Sequence, residues 1–293
     1  MNGDSPGQID QPANLDTHPA QFGRGLRSGA FVALFCCYSL VIIGLGQRLI
    51  VWPLVTLLPR RRTAVVRVWL RMQARATLGM ARSVAGLRVV VRGVIPPQSC
   101  IVVMNHQSVL DVPLGVWLIR GPQVVIPTRD RYKRGIPGIS PLVRLAGFPV
   151  VSQKRSISRE ELKGLTDAAD LVARGERTML IFPEGHRTRD GSIGRFMRSG
   201  LRIVLRRAKQ PVYCVVADGM TQARTTTDAL TGFGGSTIRV AILGPYTIEE
   251  PATPAKIDEF MEVIRQRMIE TLAAMRAEPA AAPTDADATV AAR

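Results

Sequence analysis

The sequence predicts an α/β domain, a two-layer or sandwich arrangement around a central, mostly parallel sheet, with an N-terminal membrane helix ahead of it. Three observations carry that prediction. From residue 86 onward, short apolar runs alternate with stretches of helical periodicity, which is the pattern of a sheet covered by helices. Residues 28–47, SGAFVALFCCYSLVIIGLGQ, hold no charged residue over twenty positions, enough as a helix to cross a hydrocarbon core of roughly 30 Å. The length, 293 residues, is ample for a sizeable core.

Taken in order, residues 1–27 read as a polar, disordered tail with Gly, Pro and Asp. Residues 28–62 read as a membrane anchor: the apolar span, then LIVWPLVTLLP (49–59), too short to cross alone and better suited to a re-entrant or interfacial course kinked at Pro53. A cleaved signal peptide fits less well, because the apolar stretch is long and no clean small-residue cleavage site follows; a buried core helix is the soluble alternative. Arg60, Arg61, Arg62, Arg67 and Arg71 outnumber Arg24 and Arg27 across the span, which puts the bulk of the chain on the cytoplasmic side. Residues 63–85 read as a basic amphipathic helix with Arg67, Arg71 and Arg75 at four-residue spacing, either lying on anionic lipid or presenting a solvated face.

Residues 86–277 form the expected domain. LRVVVRG, CIVVM, PQVVIP, GFPVVSQ, TMLIFP, PVYCVVA and TIRVAIL read as strands. DVPLGVWLI, REELKGLTDAADLVARG, SGLRIVLRRA and residues 255–277 read as helices, and the Ala/Pro-rich residues 278–293 as a second disordered tail.

The formal net charge is +16, and of 39 Lys and Arg residues only five are lysine, so the excess is guanidinium. Such a field favours anionic partners: nucleic acid, acidic headgroups or phosphorylated small molecules. The basic stretches lack interleaved aromatics and no DNA- or RNA-reading motif appears, so nucleic acid is not an expected partner. Cys36, Cys37, Cys100 and Cys214 show neither metal-ligand spacing nor a disulfide framework, so no metal site is expected.

Two stretches carry candidate chemistry. In VVMNHQSVLDVP (102–113) an apolar strand ends in Asn105 and His106, with Asp111 five residues on. Five residues diverge on a continuous helix, so the two side chains meet only if His106 lies in the strand-to-helix turn and Asp111 in the first helical turn. Ser108 fits as N-cap, since SVLD has the S-x-x-D form; Asp111 as a plain cap and His106 as a loop histidine are the alternatives. In LIFPEGHRTRDG (180–191) a second strand ends in Glu184, Gly185 and Arg187, where glycine permits a sharp turn and the guanidinium suits phosphate or carboxylate.

Together, NHQSVLD and FPEGHRT resemble the N-H-x-x-x-x-D and F-P-E-G-x-R signatures of the glycerophospholipid acyltransferase family, whose best-known members act on 1-acyl-glycerol-3-phosphate. The resemblance runs from about Leu87 to Tyr246 and includes RGIPGISPLVRLAGFPVV and GRFMRSG. It implies that His106 is the general base for an acceptor hydroxyl attacking an acyl thioester, that Asp111 orients the imidazole, and that no acyl-enzyme forms. It further implies that Glu184, Gly185 and Arg187 shape the acceptor site. No cofactor is implied beyond the co-substrate, acyl-CoA or acyl-ACP; the implied partners are membrane lipids and a lysophospholipid, lysophosphatidic acid or another such as a lyso-aminolipid.

The sequence departs from the family pattern in three places. Counting six residues from Gly147 gives Gln153 where an acceptor-binding arginine is usual, which leaves two readings: Arg155, on the same strand face, takes the phosphate-binding role, or the acceptor lacks a phosphate. Cys214 stands where a strand proline is usual, with only Pro211 preceding it, and His186 replaces threonine. A lipid hydrolase would need a G-x-S-x-G elbow, which the sequence lacks.

Overall fold

The computed structural model describes residues 19–136, 138–152, 158–188, 190–221 and 234–278. The expected C-terminal tail beyond Glu278 and most of the N-terminal one lie outside these. The first helix, α1 (Pro19–Tyr38), begins inside the segment expected to be tail.

The apolar N-terminal segment departs from the expectation of a span followed by a separate kinked piece. Helix α1 continues through two π-helical stretches, Ser39–Leu45 and Gln47–Val51, into α2 (Trp52–Leu57). Gly25–Leu57 is thus one apolar helix, long enough to cross a membrane. Pro53, with no N–H to donate, follows directly on the wider π turns and does not break the helix. The chain turns instead at Leu58 and a 3₁₀ turn, Pro59–Arg61, and runs back as α3 (Arg62–Ser83). The two helices pack antiparallel: the Tyr38 hydroxyl donates to Oε1 of Gln73, and Gly46 lies against the ring of Trp69. Ile43, Gln47, Val51 and Val55, four residues apart, form the inward stripe, and the Gln47 amide donates to the Gly138 carbonyl at 3.0 Å. Leu49, Ile50, Trp52 and Leu57 stay exposed at the α2 end, an apolar patch that water disfavours.

The domain holds a six-stranded sheet in the order β1-β8-β7-β2-β6-β3, formed by β1 (Arg88–Arg92), β2 (Ile101–Met104), β3 (Gln123–Val125), β6 (Arg177–Ile181), β7 (Val212–Asp218) and β8 (Thr237–Tyr246). Every pairing is parallel except β7 with β8, so the sheet is mixed, with β3, β6, β2 and β7 running one way. The segment expected as the strand GFPVVSQ contributes only β5 (Val150–Val151), which pairs with β4 (Thr128–Arg129) in a small separate ribbon.

Alternation along β2 explains the layers. All four residues are buried: Val102 and Met104 join a core with α1, α3, α4 (Asp111–Leu118) and Leu145 of α5 (Ile139–Ala146). Ile101 and Val103 face a second core with α6 (Arg159–Ala173), α7 (Arg198–Ala208) and the C-terminal helix α8 (Pro254–Ala277). The result is a three-layer sandwich. On α6, Leu165, Ala168, Ala169 and Val172 are buried against the sheet, while Leu162 is exposed.

Candidate active site

Because β3, β6, β2 and β7 run the same way, their carboxyl ends share one edge of the sheet, where open α/β sheets bind ligands. There the chain places His106 and Asp111 after β2, Arg129 after β3, Glu184 and Gly185 after β6, and Asp218 at the end of β7.

The first turn is built around one carboxylate oxygen. His106 Nδ1 lies 2.9 Å from Asp111 Oδ2, so the predicted meeting of the two side chains occurs. The same oxygen accepts the backbone N–H groups of Gln107 and Ser108, each at 2.6 Å. Asp111 is almost fully buried, and three donors on it keep the carboxylate in one place. Ser108 does not act as the N-cap that SVLD suggested: α4 starts at Asp111 with Leu110 as N-cap, and Ser108 Oγ accepts the Leu110 N–H at 3.2 Å. Asp111 therefore orients the histidine from the first helical position, where a negative charge also suits the helix dipole.

Asn105 fixes where the turn begins. Its amide makes a reciprocal pair with the backbone of Ala217, Nδ2 donating to the carbonyl at 2.9 Å and Oδ1 accepting the N–H at 2.8 Å. The side chain thereby extends the β2–β7 ladder to the residue before His106.

The second turn is laced to the first. The Glu184 carboxylate accepts the His106 backbone N–H at 3.1 Å through Oε1 and the Gly194 N–H at 2.9 Å through Oε2. In return the His106 carbonyl accepts the Thr188 N–H at 2.9 Å. Burial pushes the Glu184 carboxyl above its ordinary range, against the pull of the Gly194 and His106 N–H groups. The imidazole stacks on Phe182, ring centroids 4.4 Å apart, so the first residue of FPEG packs the ring that Asp111 orients.

Gly185 turns with φ +68, and a Cβ there would collide with Met197, so both conformation and space require glycine. Its carbonyl accepts from Arg129 Nε at 3.1 Å and from Nη2 at 2.5 Å. Burial first, and then the charges of Arg131 and Arg187, hold Arg129 below the usual guanidinium range, which places three arginines in one electrostatic neighbourhood beside the glycine turn. Arg187 is half-buried and His186 exposed.

The structure thus brings together His106, Asp111, Glu184, Gly185 and the neighbourhood of Arg187. Gln153 and Arg155 lie outside the described residues. Cys214 is buried in β7, its thiol pushed up to about 12 by burial. Sequence reasoning missed Arg129, which sits in no motif and reaches Gly185 across fifty-six positions. It also missed a support behind Gln107. That amide donates to the Gly191 carbonyl at 3.0 Å and to Asp218 Oδ1 at 3.3 Å, while Arg276 of α8 donates to both acceptors, at 2.9 Å each from Nη2.

The arrangement is a histidine with one ring nitrogen bonded to a buried carboxylate. Its side chain is 17% exposed, and a cationic turn stands alongside. It can take a proton at Nε2 and stabilise the resulting imidazolium. Ser108 is fully buried.

The family model described as Acyltransferase matches residues 87–218, which contain every group above except Arg276. Human 1-acyl-sn-glycerol-3-phosphate acyltransferase alpha is 27% identical over 187 residues, 63% of each chain. The Bos taurus protein of that name is 31% identical over 134 residues, 45% of each. The 1-acyl-sn-glycerol-3-phosphate acyltransferase of Saccharomyces cerevisiae is 26% identical over 181 residues, 61% of this chain and 57% of that one. The chain spans a little under two thirds of the length of the human and mouse relatives, 63% and 65%. The crystal structure of the 1-acyl-sn-glycerophosphate acyltransferase PlsC from Thermotoga maritima superposes with a TM-score of 0.64 at 20% identity, covering 88% of this chain and all of that one, and so shares its fold.

Proposed function

We propose that this chain, similar over residues 87–218 to the Acyltransferase family model, transfers a fatty acyl group from an acyl thioester to the hydroxyl of a lysophospholipid, 1-acyl-glycerol-3-phosphate, in membrane lipid synthesis. The observation that carries the reading is the 2.9 Å contact between His106 and Asp111 at the carboxyl edge of the sheet, laced to Glu184 of the second turn.

In this reading Asp111 holds the Nδ1 proton, which leaves Nε2 as the base. The acceptor hydroxyl gives its proton to Nε2 as its oxygen bonds to the thioester carbonyl carbon. Collapse of the tetrahedral intermediate breaks the C–S bond, and the imidazolium returns the proton to the departing thiolate. A thioester is already activated, so alignment supplies much of the rate and the base about 10²- to 10⁴-fold. Arg187, with Arg129 beside it, supports the choice of a phosphate-bearing acceptor; Arg155 is the further candidate for that phosphate. Glu184 and Gly185 set the backbone of the acceptor wall.

Membrane attachment follows in the same reading from the exposed Leu49, Ile50, Trp52 and Leu57 of the long apolar helix, with Arg60–Arg62 just beyond it on the cytoplasmic side. Antiparallel packing against α3 favours a helix held at one face of the bilayer over a lone span.

The test is a panel of lysolipid acceptors offered with acyl-CoA or acyl-ACP and read by mass spectrometry. Phosphatidic acid formed from lysophosphatidic acid, faster than product from any acceptor lacking the phosphate, is expected. Transfer confined to phosphate-free acceptors would overturn the acceptor assignment, and no transfer to any lysolipid would overturn the activity.

A further inference from the structure

A cavity of about 380 Å³ opens between α3, the edge strand β1 and the last turn of α4. It lies away from the site described above. Strand β1 runs antiparallel to β2, because of the single reversed pairing between β7 and β8, so its carboxyl end is at the opposite edge of the sheet from His106. The seven helical steps of α4 from Asp111 to Leu118 alone put about 10 Å between Asp111 and the cavity wall.

The floor is apolar, formed by Leu78, Val89, Val91, Trp117 and Ile242. The rim is basic. Arg71, Arg75 and Arg82 of α3 fall within about 40° of one another on a 3.6-residue helix, so two arginines of the stripe read from the sequence, Arg71 and Arg75, border this cavity together with Arg82, whereas Arg67 does not line it. Arg120 lies on the facing side, and no Asp or Glu is among the described residues that line it. Burial first, then repulsion from Arg67 and Arg75, holds Arg71 below the usual guanidinium range, as crowded like charges do. Arg71 is already committed to the Gly121 carbonyl, which ties α3 to the end of α4; Arg75 and Arg82 are exposed. Next to this rim the surface turns apolar again, with Val68, Met72 and Val94 exposed.

We propose that this cavity binds one anionic phospholipid, its phosphate between Arg75 and Arg82 and the first carbons of its tails on Val89, Val91 and Trp117. Guanidinium forks match phosphate oxygens, and a concave apolar floor with few polar groups is the usual make-up of a small-molecule site. The volume suits a headgroup and the first methylenes, leaving the remaining tail to the exposed apolar rim and the bilayer beyond. A soluble phosphate would gain the arginines and nothing from the floor.

The full chain in a neutral detergent is titrated with dioctanoyl phosphatidylglycerol, dioctanoyl phosphatidylcholine and inorganic phosphate, with native mass spectrometry counting bound molecules. One phosphatidylglycerol per chain is expected, with phosphatidylcholine and inorganic phosphate at least tenfold weaker. An arginine near phosphate is worth about fivefold, so Arg75→Gln/Arg82→Gln should weaken phosphatidylglycerol by roughly tenfold or more. Val91→Phe fills the cavity at constant charge and should do the same. Equal binding by wild type and both variants would overturn the proposal, as would inorganic phosphate or phosphatidylcholine binding as tightly as phosphatidylglycerol. Loss on removing the arginines with none on filling the cavity would also overturn it, since the lipid would then sit on the charged surface alone.

Discussion

At the carboxyl edge of the sheet, Asp111, Glu184 and Asp218 each meet backbone or guanidinium donors, and the partly buried His106 ring is held by two of its neighbours. At the opposite edge, three arginines of α3 border an apolar floor that no carboxylate lines among the described residues. The first region spends its polar groups on one another, which fixes geometry; the second leaves a field of one sign, which attracts an anion without prescribing its pose. Preorganised dipoles suit a reaction whose charge develops at one atom, whereas a diffuse field suits binding. The contrast predicts that single changes at the first edge alter rate and stability steeply, while those at the second do so little.

The largest effect is expected from His106→Ala, which removes the proposed base and leaves the Glu184–Gly194 and Asn105–Ala217 bonds in place. Acyl transfer to lysophosphatidic acid should fall by about 10²- to 10⁴-fold, with an unchanged circular dichroism spectrum. A variant with most of its activity would erase the distinction between the two edges. Asp111→Asn should cost less, because the base survives, but still reach the lower part of that range. An amide oxygen in the place of Oδ2 is a neutral and weaker acceptor for His106 and the two backbone N–H groups, and it does not stabilise the imidazolium as a carboxylate does, so the preferred tautomer and the turn loosen together. Its loss should appear in kcat more than in the acceptor KM.

How far this edge was legible depends on sequence distance. The five-residue spacing of His106 and Asp111 demanded a turn between strand and helix, and that turn is there. The identity of the cap was not legible: Ser108 has the right residue type, but the carboxylate two backbone N–H groups needed was Asp111 itself. Arg129, Asp218 and Arg276 act across 56 to 111 positions, through strand order and helix packing that no local pattern encodes. The arginine stripe of α3 was visible, but its two readings, solvated face or lipid-facing face, differ only in what β1 and α4 put opposite it.

Glu184→Gln sharpens the comparison through pH. Burial raises the Glu184 carboxyl in the folded state, so the folded chain binds this proton more readily than the unfolded one. Between the unfolded and folded values, stability therefore falls as pH rises, and above both the full adverse contribution is present. The glutamine variant lacks that slope and loses one of two N–H acceptors, a cost of about 1–3 kcal/mol. Urea unfolding should show its deficit largest on the acid side of the window and shrinking as pH rises through it. A deficit that grew with pH would mean that Glu184 stabilises the fold as a charge.

The smallest effect belongs to the opposite edge. Arg92, at the end of β1, meets Glu278 at 2.6 Å, as short as the Asp111 contacts, yet the two side chains are 59% and 48% exposed. Water and salt screen such a pair, and ordering two long side chains offsets much of the attraction, so Arg92→Gln should cost at most about 1 kcal/mol. The residue points away from the cavity, since Val89 and Val91 occupy the alternate positions of the strand, so lipid binding should not change either. Urea unfolding of wild type and variant in low salt and again in about 1 M salt tests this, because at the higher concentration the screening length falls to roughly 3 Å and the difference should vanish. A salt-insensitive loss above about 2 kcal/mol, comparable with that at Glu184, would mean that distance and not burial governs these charges. The two edges would then no longer be distinguished by how their polar groups are shielded from water.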